Sequence, residues 1–353
     1  MRLWLPTVRT GTGAETYTRR LAEGLAARGH DVQLDIVPHR FQYAPWLAGI
    51  RPRAGTDVIL ANSWNAAAFA GAAPLVTVVH LVVHDPLLAP HKNLSQALFH
   101  RAFVLPMEKA AVRRSAAVIA VSENTAEASR AFLDADRVEV VLNGVDTTFF
   151  RPPPPRRRDR EAPIELLFVG KPSLRKGFDL VAAIVDRLGA DCRLTCAGLP
   201  PSGRLPRPPG RYLGYVSPEM LLQAYQAADL LLFPSRLEGF GYVAAEALAC
   251  GVPVVCTEGT AVAEIAPAPA CGIACPADDV EAFAEAIRRL RAQPDRLSAM
   301  REDARDHAVD RLGLDRWLAE TERVLAGASG SASAPGASPR RRWSRRIAPR
   351  AGP

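Results

Sequence analysis

The sequence predicts an α/β protein of two domains, each built on a doubly wound parallel sheet. Three observations carry that expectation. Short apolar runs alternate with helical stretches along both halves, the pattern that lays helices on both faces of a parallel sheet. A Pro- and Arg-rich segment divides the chain near residue 155, and a new apolar run starts at Ile164. At 353 residues, each half is long enough to bury a core of its own.

Composition narrows the function classes. The net charge of +7 suggests a nucleic-acid partner until it is located: Arg340, Arg341, Arg342, Arg345, Arg346 and Arg350 lie in an acid-free tail and leave the rest almost neutral. A nucleic-acid binder would want a basic face on its folded part, so no nucleic acid is expected as partner. No apolar run reaches the ~18 to 20 residues that span a bilayer. Met1 to Val8 reads as a strand and not as a leader, and a cytoplasmic location is expected. The six cysteines, all from Cys192 onward, form no Cys-x-x-Cys and sit mostly in apolar runs, as reduced core thiols do.

The first unit is a strand from Arg2 to Val8, a loop with Gly11 and Gly13, a helix from about Ala14 to Arg28 and a strand from Val32 to Val37. Tyr17, Leu21 and Leu25 recur every four residues, as a helix packed on a sheet requires. The unit is βαβ, and it carries the glycines to the C-terminal end of a strand, where open α/β sheets bind ligands. Gly11-Thr-Gly13 lacks the third glycine of a dinucleotide fingerprint, although Asp31 and Asp35 stand about where a ribose-binding acid would. A nicotinamide-dependent dehydrogenase therefore stays open at this point.

Further strands are expected at Val58 to Ala61, Leu75 to His80, Ala117 to Val121 and Val138 to Leu142. Ser95 and Ser122 are placed to cap the helices after them, and Pro106 should kink or split the first of these. His80 ends a buried strand; a histidine there is commonly structural, and His84 competes with it for any active role. Asp134-Ala-Asp136 has metal-ligand spacing but falls in a turn before a strand. Pro152 to Pro155 and Arg156 to Arg158 then form an exposed connector.

The second half restarts with the strand Ile164 to Val169 and a loop holding Lys171, Arg175, Lys176 and Gly177. Such lysines are solvated by default, yet at a strand's C-terminal end they can neutralise a diphosphate. Arg193 to Ala197 and Tyr212 to Val216 are short strands, and Ser217-Pro-Glu opens a helix with a serine cap. Helical patterns from Val280 to Leu290 and Leu314 to Leu325 close this half.

Between them lies the stretch that organises the chain. The strand Leu230 to Phe233 leads through a polar loop to a helix from Tyr242, with Gly251 as its stop. Glu238 stands in the loop and Glu246 on the helix's second turn, with Gly239, Phe240 and Gly241 between. Glycines here admit close backbone approach to an anion, and a carboxylate beyond can accept both hydroxyls of a ribose. Solvated surface glutamates are the plain alternative.

This Glu-x7-Glu signature with its Gly-Phe-Gly core resembles that of the retaining glycosyltransferases of family 4, which have the GT-B fold. Gly11-Thr-Gly13-Ala-Glu15, Asn143-Gly-Val-Asp146 and the lysine loop resemble other parts of the family pattern, in order, over residues 1 to 325. The resemblance implies two Rossmann-like domains facing a cleft, 1–150 for the acceptor and 164–326 for the nucleotide sugar; composition makes 151–163 the linker between them and 327–353 a disordered basic tail. It implies transfer of a sugar from a nucleotide diphosphate, UDP first and GDP second, to a hydroxyl of a sugar, lipid or small-molecule acceptor, with retention. His80, Lys176 and Glu238 take the catalytic roles; Gly11, Gly13, Lys171, Arg175, Gly239, Phe240, Gly241 and Glu246 bind substrate.

No metal and no cofactor is implied, because the basic loop and helix N-termini can stabilise the leaving diphosphate. Two positions depart from the family pattern: Lys171 stands where arginine is usual, and Thr260 where a second glycine is. The arginine-rich tail is a candidate for weak contact with an anionic membrane. Besides the dehydrogenase, a nucleotide-sugar epimerase and a non-catalytic sugar-nucleotide sensor remain as alternatives. Tyr43, Trp46 and Trp64 could stack on an acceptor sugar or belong to the core.

Overall fold

The computed structural model describes residues 1–11, 13–86, 92–154, 162–198 and 205–331. Two parallel six-stranded sheets organise them. β1 (Arg2–Val8), β2 (Asp31–Val37), β3 (Val58–Asn62), β4 (Leu75–Val79), β5 (Ser115–Ala120) and β6 (Val138–Val140) lie in the order β2-β1-β3-β4-β5-β6. β7 (Ile164–Val169), β8 (Cys192–Ala197), β9 (Arg211–Tyr212), β10 (Leu230–Phe233), β11 (Val254–Thr257) and β12 (Gly272–Cys275) lie in the order β12-β11-β10-β7-β8-β9. The strand order reverses beside β1 and again beside β7. The Gly11 loop follows β1, the lysine loop follows β7 and the Glu238 loop follows β10, so all three lie at switch points.

In chain order the helices are α1 (Gly13–Ala27), α2 (Ser63–Ala66), α3 (Leu94–Phe99), α4 (Leu105–Arg114), α5 (Glu123–Leu133), α6 (Phe178–Leu188), α7 (Pro218–Ala227), α8 (Tyr242–Ala249), α9 (Ala261–Ile265), α10 (Val280–Ala292), α11 (Pro294–Leu312) and α12 (Leu314–Ser331). Tyr17, Leu21 and Leu25 are wholly buried under α1. The Ser122 and Ser217 side chains accept from the amides of Thr125 and Met220, as expected of caps. Gly251 has φ +68, the left-handed conformation that ends α8.

The cap of α3 is Asn93, which accepts from the Gln96 amide at 2.8 Å, and not Ser95, whose hydroxyl donates to Asn93 instead. Pro106 does interrupt this helix. It cannot donate to the carbonyl one turn back, and the widened π-turn His100–Val104 in front of it joins α3 to α4. α11 was not anticipated: its buried stripe of Leu297, Met300, Ala304, Ala308 and Leu312 is narrow and in two of its five positions only alanine, on an otherwise charged helix.

α12 corrects the expected start of the tail. The helix continues to Ser331, past residue 327, and Ala328 is 2% exposed. It also crosses back to the first sheet and packs against α1, β3, β4 and β5. Trp317 is wholly buried with its ring 5.0 Å from Tyr17, and the space it and Leu318 occupy is left by Gly144 and Gly24. Arg28 and His30 both pair with Glu322 at 2.9 Å. The rest of the tail, and Arg156 to Arg158 of the linker, lie outside the described residues.

All six cysteines are buried and unpaired. Asp134 ends α5 at φ +58 and pairs with Lys109 at 2.8 Å, and among the described residues no group of three His, Cys, Asp or Glu is disposed to hold a metal. No helix among them is long and apolar enough to cross a membrane.

Candidate active site

The β7–α6 and β10–α8 loops meet because Gly177 has no side chain. At φ +63, a Cβ there would stand 2.0 Å from the Pro234 carbonyl oxygen. That contact brings Lys176 and Arg175 to Glu238. The Lys176 ammonium lies 2.6 Å and the Arg175 guanidinium 3.1 Å from Glu238 Oε1, which also accepts from the Ser235 hydroxyl at 2.8 Å. Glu238 is 8% exposed. Burial works to raise its pKa, but the charges of Lys176 and Arg175 and the two side-chain hydrogen bonds together hold it below the usual carboxylate range. The ammonium thus has a carboxylate counter-ion at hand. Lys171 stays exposed at the start of the same loop.

Gly239 and Gly241 have different tasks. Gly241 is the N-cap of α8 at φ +94, which lets the loop turn into the helix. Gly239 sits at the seam between the halves: a Cβ on it would fall 1.5 Å from the His80 carbonyl oxygen. Its own carbonyl accepts from Ser122 Oγ at 2.7 Å and Thr125 Oγ1 at 3.0 Å. Glu264 of α9 completes the seam by accepting from the Glu123 and Asn124 amides at the start of α5, a cap supplied from the other half. Phe240 is 4% exposed and meets the edge of Tyr242 at 5.4 Å, so its bulk serves the core.

Glu246 is 7% exposed and accepts from the Tyr225 hydroxyl at 3.0 Å. Burial outweighs that bond and pushes its carboxyl up to about 7. Arg20 reaches across from α1: its guanidinium lies 5.6 Å from the Tyr242 ring centre, and its charge acts to lower the Glu246 pKa. No sequence motif marks Arg20, Tyr225 or Tyr242. The single-residue offset of Arg20 from the buried Leu21 was the available signal.

On the first sheet, His80 follows β4. Its Nε2 is 2.8 Å from Asn62 Oδ1, and because an amide oxygen only accepts, Nε2 carries the proton and Nδ1 is left as the ring's acceptor. Asn62 is oriented in turn by donating to Thr7 Oγ1 at 3.2 Å. Burial pushes the His80 pKa down to about 4, so the ring is neutral at pH 7. His84 is separate: it lies 4.0 Å from Glu108, and burial and nearby Lys92 push it down to about 4 as well.

Gly11 is left-handed at φ +64 with open space beside it, and Gly13 lies against Tyr242, where a Cβ would come to 3.9 Å. The Gly11 loop therefore faces the start of α8. Two of its amides are already engaged, because Thr10 and Gly11 both donate to Glu15 Oε2 at 2.9 Å. Arg19 holds the same carboxylate at 2.9 Å. An anion at this loop would meet a carboxylate first, so its phosphate-binding capacity is less than its glycines suggest.

Lys176 and Glu238 thus form an ion pair, the adjacent Gly239 meets the His80 backbone across the seam, and Arg20 links Tyr242 with Glu246 further along the same loop and helix. Comparison with known proteins gives these residues their setting. Residues 163–293 match the family described as glycosyl transferases group 1, and residues 34–149 match glycosyltransferase family 4. The chain is 31% identical over 202 residues to the D-inositol 3-phosphate glycosyltransferase of Corynebacterium kroppenstedtii, an alignment covering 50% of this chain and 45% of that one. It thus spans about half the length of that relative.

Among solved structures, sucrose-phosphate synthase from Thermosynechococcus elongatus is similar with a TM-score of 0.78 at 19% identity, covering 94% of this chain and 99% of that one. Anabaena Alr3699/HepE in complex with UDP-glucose is similar with a TM-score of 0.71 at 18% identity, covering 92% and 99%. With a glycosyltransferase family matched on each half and the whole two-sheet architecture shared, the chain belongs to the GT-B glycosyltransferases of family 4.

Proposed function

We propose that the protein transfers a sugar from a nucleotide diphosphate sugar, a UDP-sugar first and a GDP-sugar second, to an acceptor hydroxyl with retention at the anomeric carbon. The observation that carries the proposal is the pairing of Lys176 and Arg175 with the buried Glu238, in a loop whose Gly239 meets the backbone of His80. A fixed ammonium at this point can follow the charge that grows on a departing diphosphate, while Glu238 takes hydroxyls of the sugar. Lys171 and Arg175 would add to the cationic wall, and Glu246 would take the ribose diol from beside α8. Residues 164–326 would hold the donor, and residues 1–150 the acceptor, with 151–163 joining them.

UDP is favoured because a protein of the same fold has been solved with UDP-glucose. A metal is left out of the scheme because the cationic loop can do its work, and Asp134 is already committed to Lys109. A cytoplasmic location belongs to the same reading. The dehydrogenase alternative is disfavoured by the Gly11 loop, whose amides serve Glu15. Epimerase and sensor readings are separated from transfer by one assay. Nucleotide sugars are incubated with and without mixed acceptors, and free nucleotide and glycosylated product are read by mass spectrometry, with the anomeric configuration by NMR. Turnover that needs no acceptor, or binding without turnover for every donor and acceptor, would overturn the proposal.

A further inference from the structure

The first half contains a cavity of about 470 Å³ that opens from His80, Asn62 and Thr10 of the site described above and runs on past Glu108 and His100. Its inner wall includes Glu108, which is 3% exposed. Glu108 Oε1 accepts from the Ser63 hydroxyl at 2.7 Å, whereas Oε2 is buried with no hydrogen-bond partner. His100 Nδ1, on the same wall, is likewise buried and unpartnered. A buried polar atom left unpaired costs free energy, so these two atoms make a wall suited to an entering hydrogen-bonding ligand. Burial pushes the Glu108 carboxyl up to about 7 and the His100 ring down from its ordinary value, so neither is a strong point charge.

The cavity mouth is different in kind. Tyr43 and Phe99 line it, and Tyr43 meets Phe99 at 5.4 Å and Phe103 at 5.9 Å, while Phe99 and Phe103 stack at 5.5 Å. Of the eleven exposed large apolar side chains among the described residues, seven belong to the two segments 43–47 and 94–103. Leu98 is 67% and Trp46 57% exposed. Among the described residues no lysine or arginine lines this cavity. Lys92, the cation that acts on His84 and His100, donates to the Val83 carbonyl.

We propose that this cavity is the acceptor subsite, and that it takes an uncharged polyhydroxylated compound carrying an apolar group. Its hydroxyls meet Glu108, Ser63 and His100, and its apolar group lies across Tyr43, Phe99 and Phe103. A phosphorylated acceptor is selected against, since it would bring an anion to a buried carboxyl with no lining cation to balance it. The aromatic mouth supplies stacking area that a small sugar alone would leave wet. This inference rests on the proposed transfer reaction only in naming the ligand an acceptor.

The test uses octyl and methyl glycosides of the common hexoses, below micelle-forming concentration, and the matching hexose 6-phosphates. Binding to the full chain is read by saturation-transfer NMR and calorimetry, with UDP affinity measured alongside. At least one octyl glycoside is expected to bind tenfold or more tightly than its methyl counterpart and than the sugar phosphate. Tyr43→Ala, an exposed position that should leave the fold intact, is expected to remove most of the octyl advantage. Glu108→Gln keeps the acceptor for Ser63 but turns a donor toward the ligand, and is expected to weaken every neutral glycoside about tenfold. Both variants should bind UDP as the parent does.

The proposal is overturned if no glycoside binds, if a sugar phosphate binds the parent best, or if neither substitution changes glycoside binding. Failure of the parent to bind UDP or any other nucleotide would instead count against the transfer reaction, and is read independently.

Discussion

Gly239 and the backbone of His80 are so close that a single methyl group would not fit: a Cβ on Gly239 would stand 1.5 Å from the His80 carbonyl oxygen. The glycine thereby joins the loop that carries Glu238 to the strand end that carries His80. Gly239→Ala must push the two apart, and overpacking of this kind costs roughly 1–3 kcal/mol. Thermal unfolding should fall by several degrees, and sugar transfer by about tenfold or more, because reacting groups on opposite sides of the seam lose alignment. An unchanged melting temperature and rate would mean that the seam yields freely.

Lys176→Ala should lower the transfer rate more than donor affinity. Its ammonium at 2.6 Å from Glu238 is held in place before any charge develops, which is the arrangement that favours a transition state over a ground state. Loss of one such group commonly costs about 10² to 10³ in turnover. A rise in KM with kcat intact would make the lysine a binding residue only.

Glu246→Ala should weaken UDP by about 1.5–3 kcal/mol, the usual value of a charge-assisted hydrogen bond. The pH dependence is the sharper measurement. Since the Glu246 carboxyl is raised to about 7, it accepts both diol hydroxyls fully only above that value, so UDP affinity should rise through pH 7. Glu246→Gln should remove that inflection and leave only the nucleotide's own titration. Calorimetry showing the same pH profile in parent and variant would take Glu246 out of the site.

The same two raised carboxyls set a stability trend. Glu246 and Glu108 hold their protons more tightly folded than unfolded, so their contribution is complete below about 4.5 and is lost as pH rises through about 7. Glu246→Gln and Glu108→Gln should each flatten that fall in a denaturant titration. A fall of the same depth in both variants would place its origin elsewhere.

Exhaustive chelation should leave transfer intact. Loss of turnover with EDTA, restored by magnesium or manganese, would require a cation that the Lys171 to Lys176 loop was expected to replace.

Legibility differed by the range of the interaction involved. Ser122 and Ser217 were readable as caps, and Gly251 as a stop, because each acts on residues a few positions away. Lys176 and Glu238 were readable singly, by their strand-end loops; their pairing depends on Gly177 meeting Pro234, which no local pattern encodes. The Gly11 amide is taken by Glu15, four residues on, a backward contact that the Gly-x-Gly spacing does not announce. Gly239 looked like room for a ligand, whereas the space is filled by backbone from the other half. Tyr43 and Trp64 were readable singly as acceptor-stacking candidates, but their meeting with Glu108, Ser63 and His100 around one cavity was not, since these come from separate loops and helices. α11 was missed because small alanines can bury a helix whose average character is charged.

The return of α12 to the first sheet bears on the order in which the protein can be made. Trp317 and Leu318 fill the hollows left by Gly144 and Gly24, so residues 1–154 have no means of covering that face themselves. During synthesis the first half must wait, partly uncovered, until residues 314–331 have left the ribosome. A fragment of residues 1–154 should bind hydrophobic dye and aggregate, and a peptide of residues 314–331 added in trans should suppress both. A monomeric fragment that binds no dye would show that the first sheet matures alone.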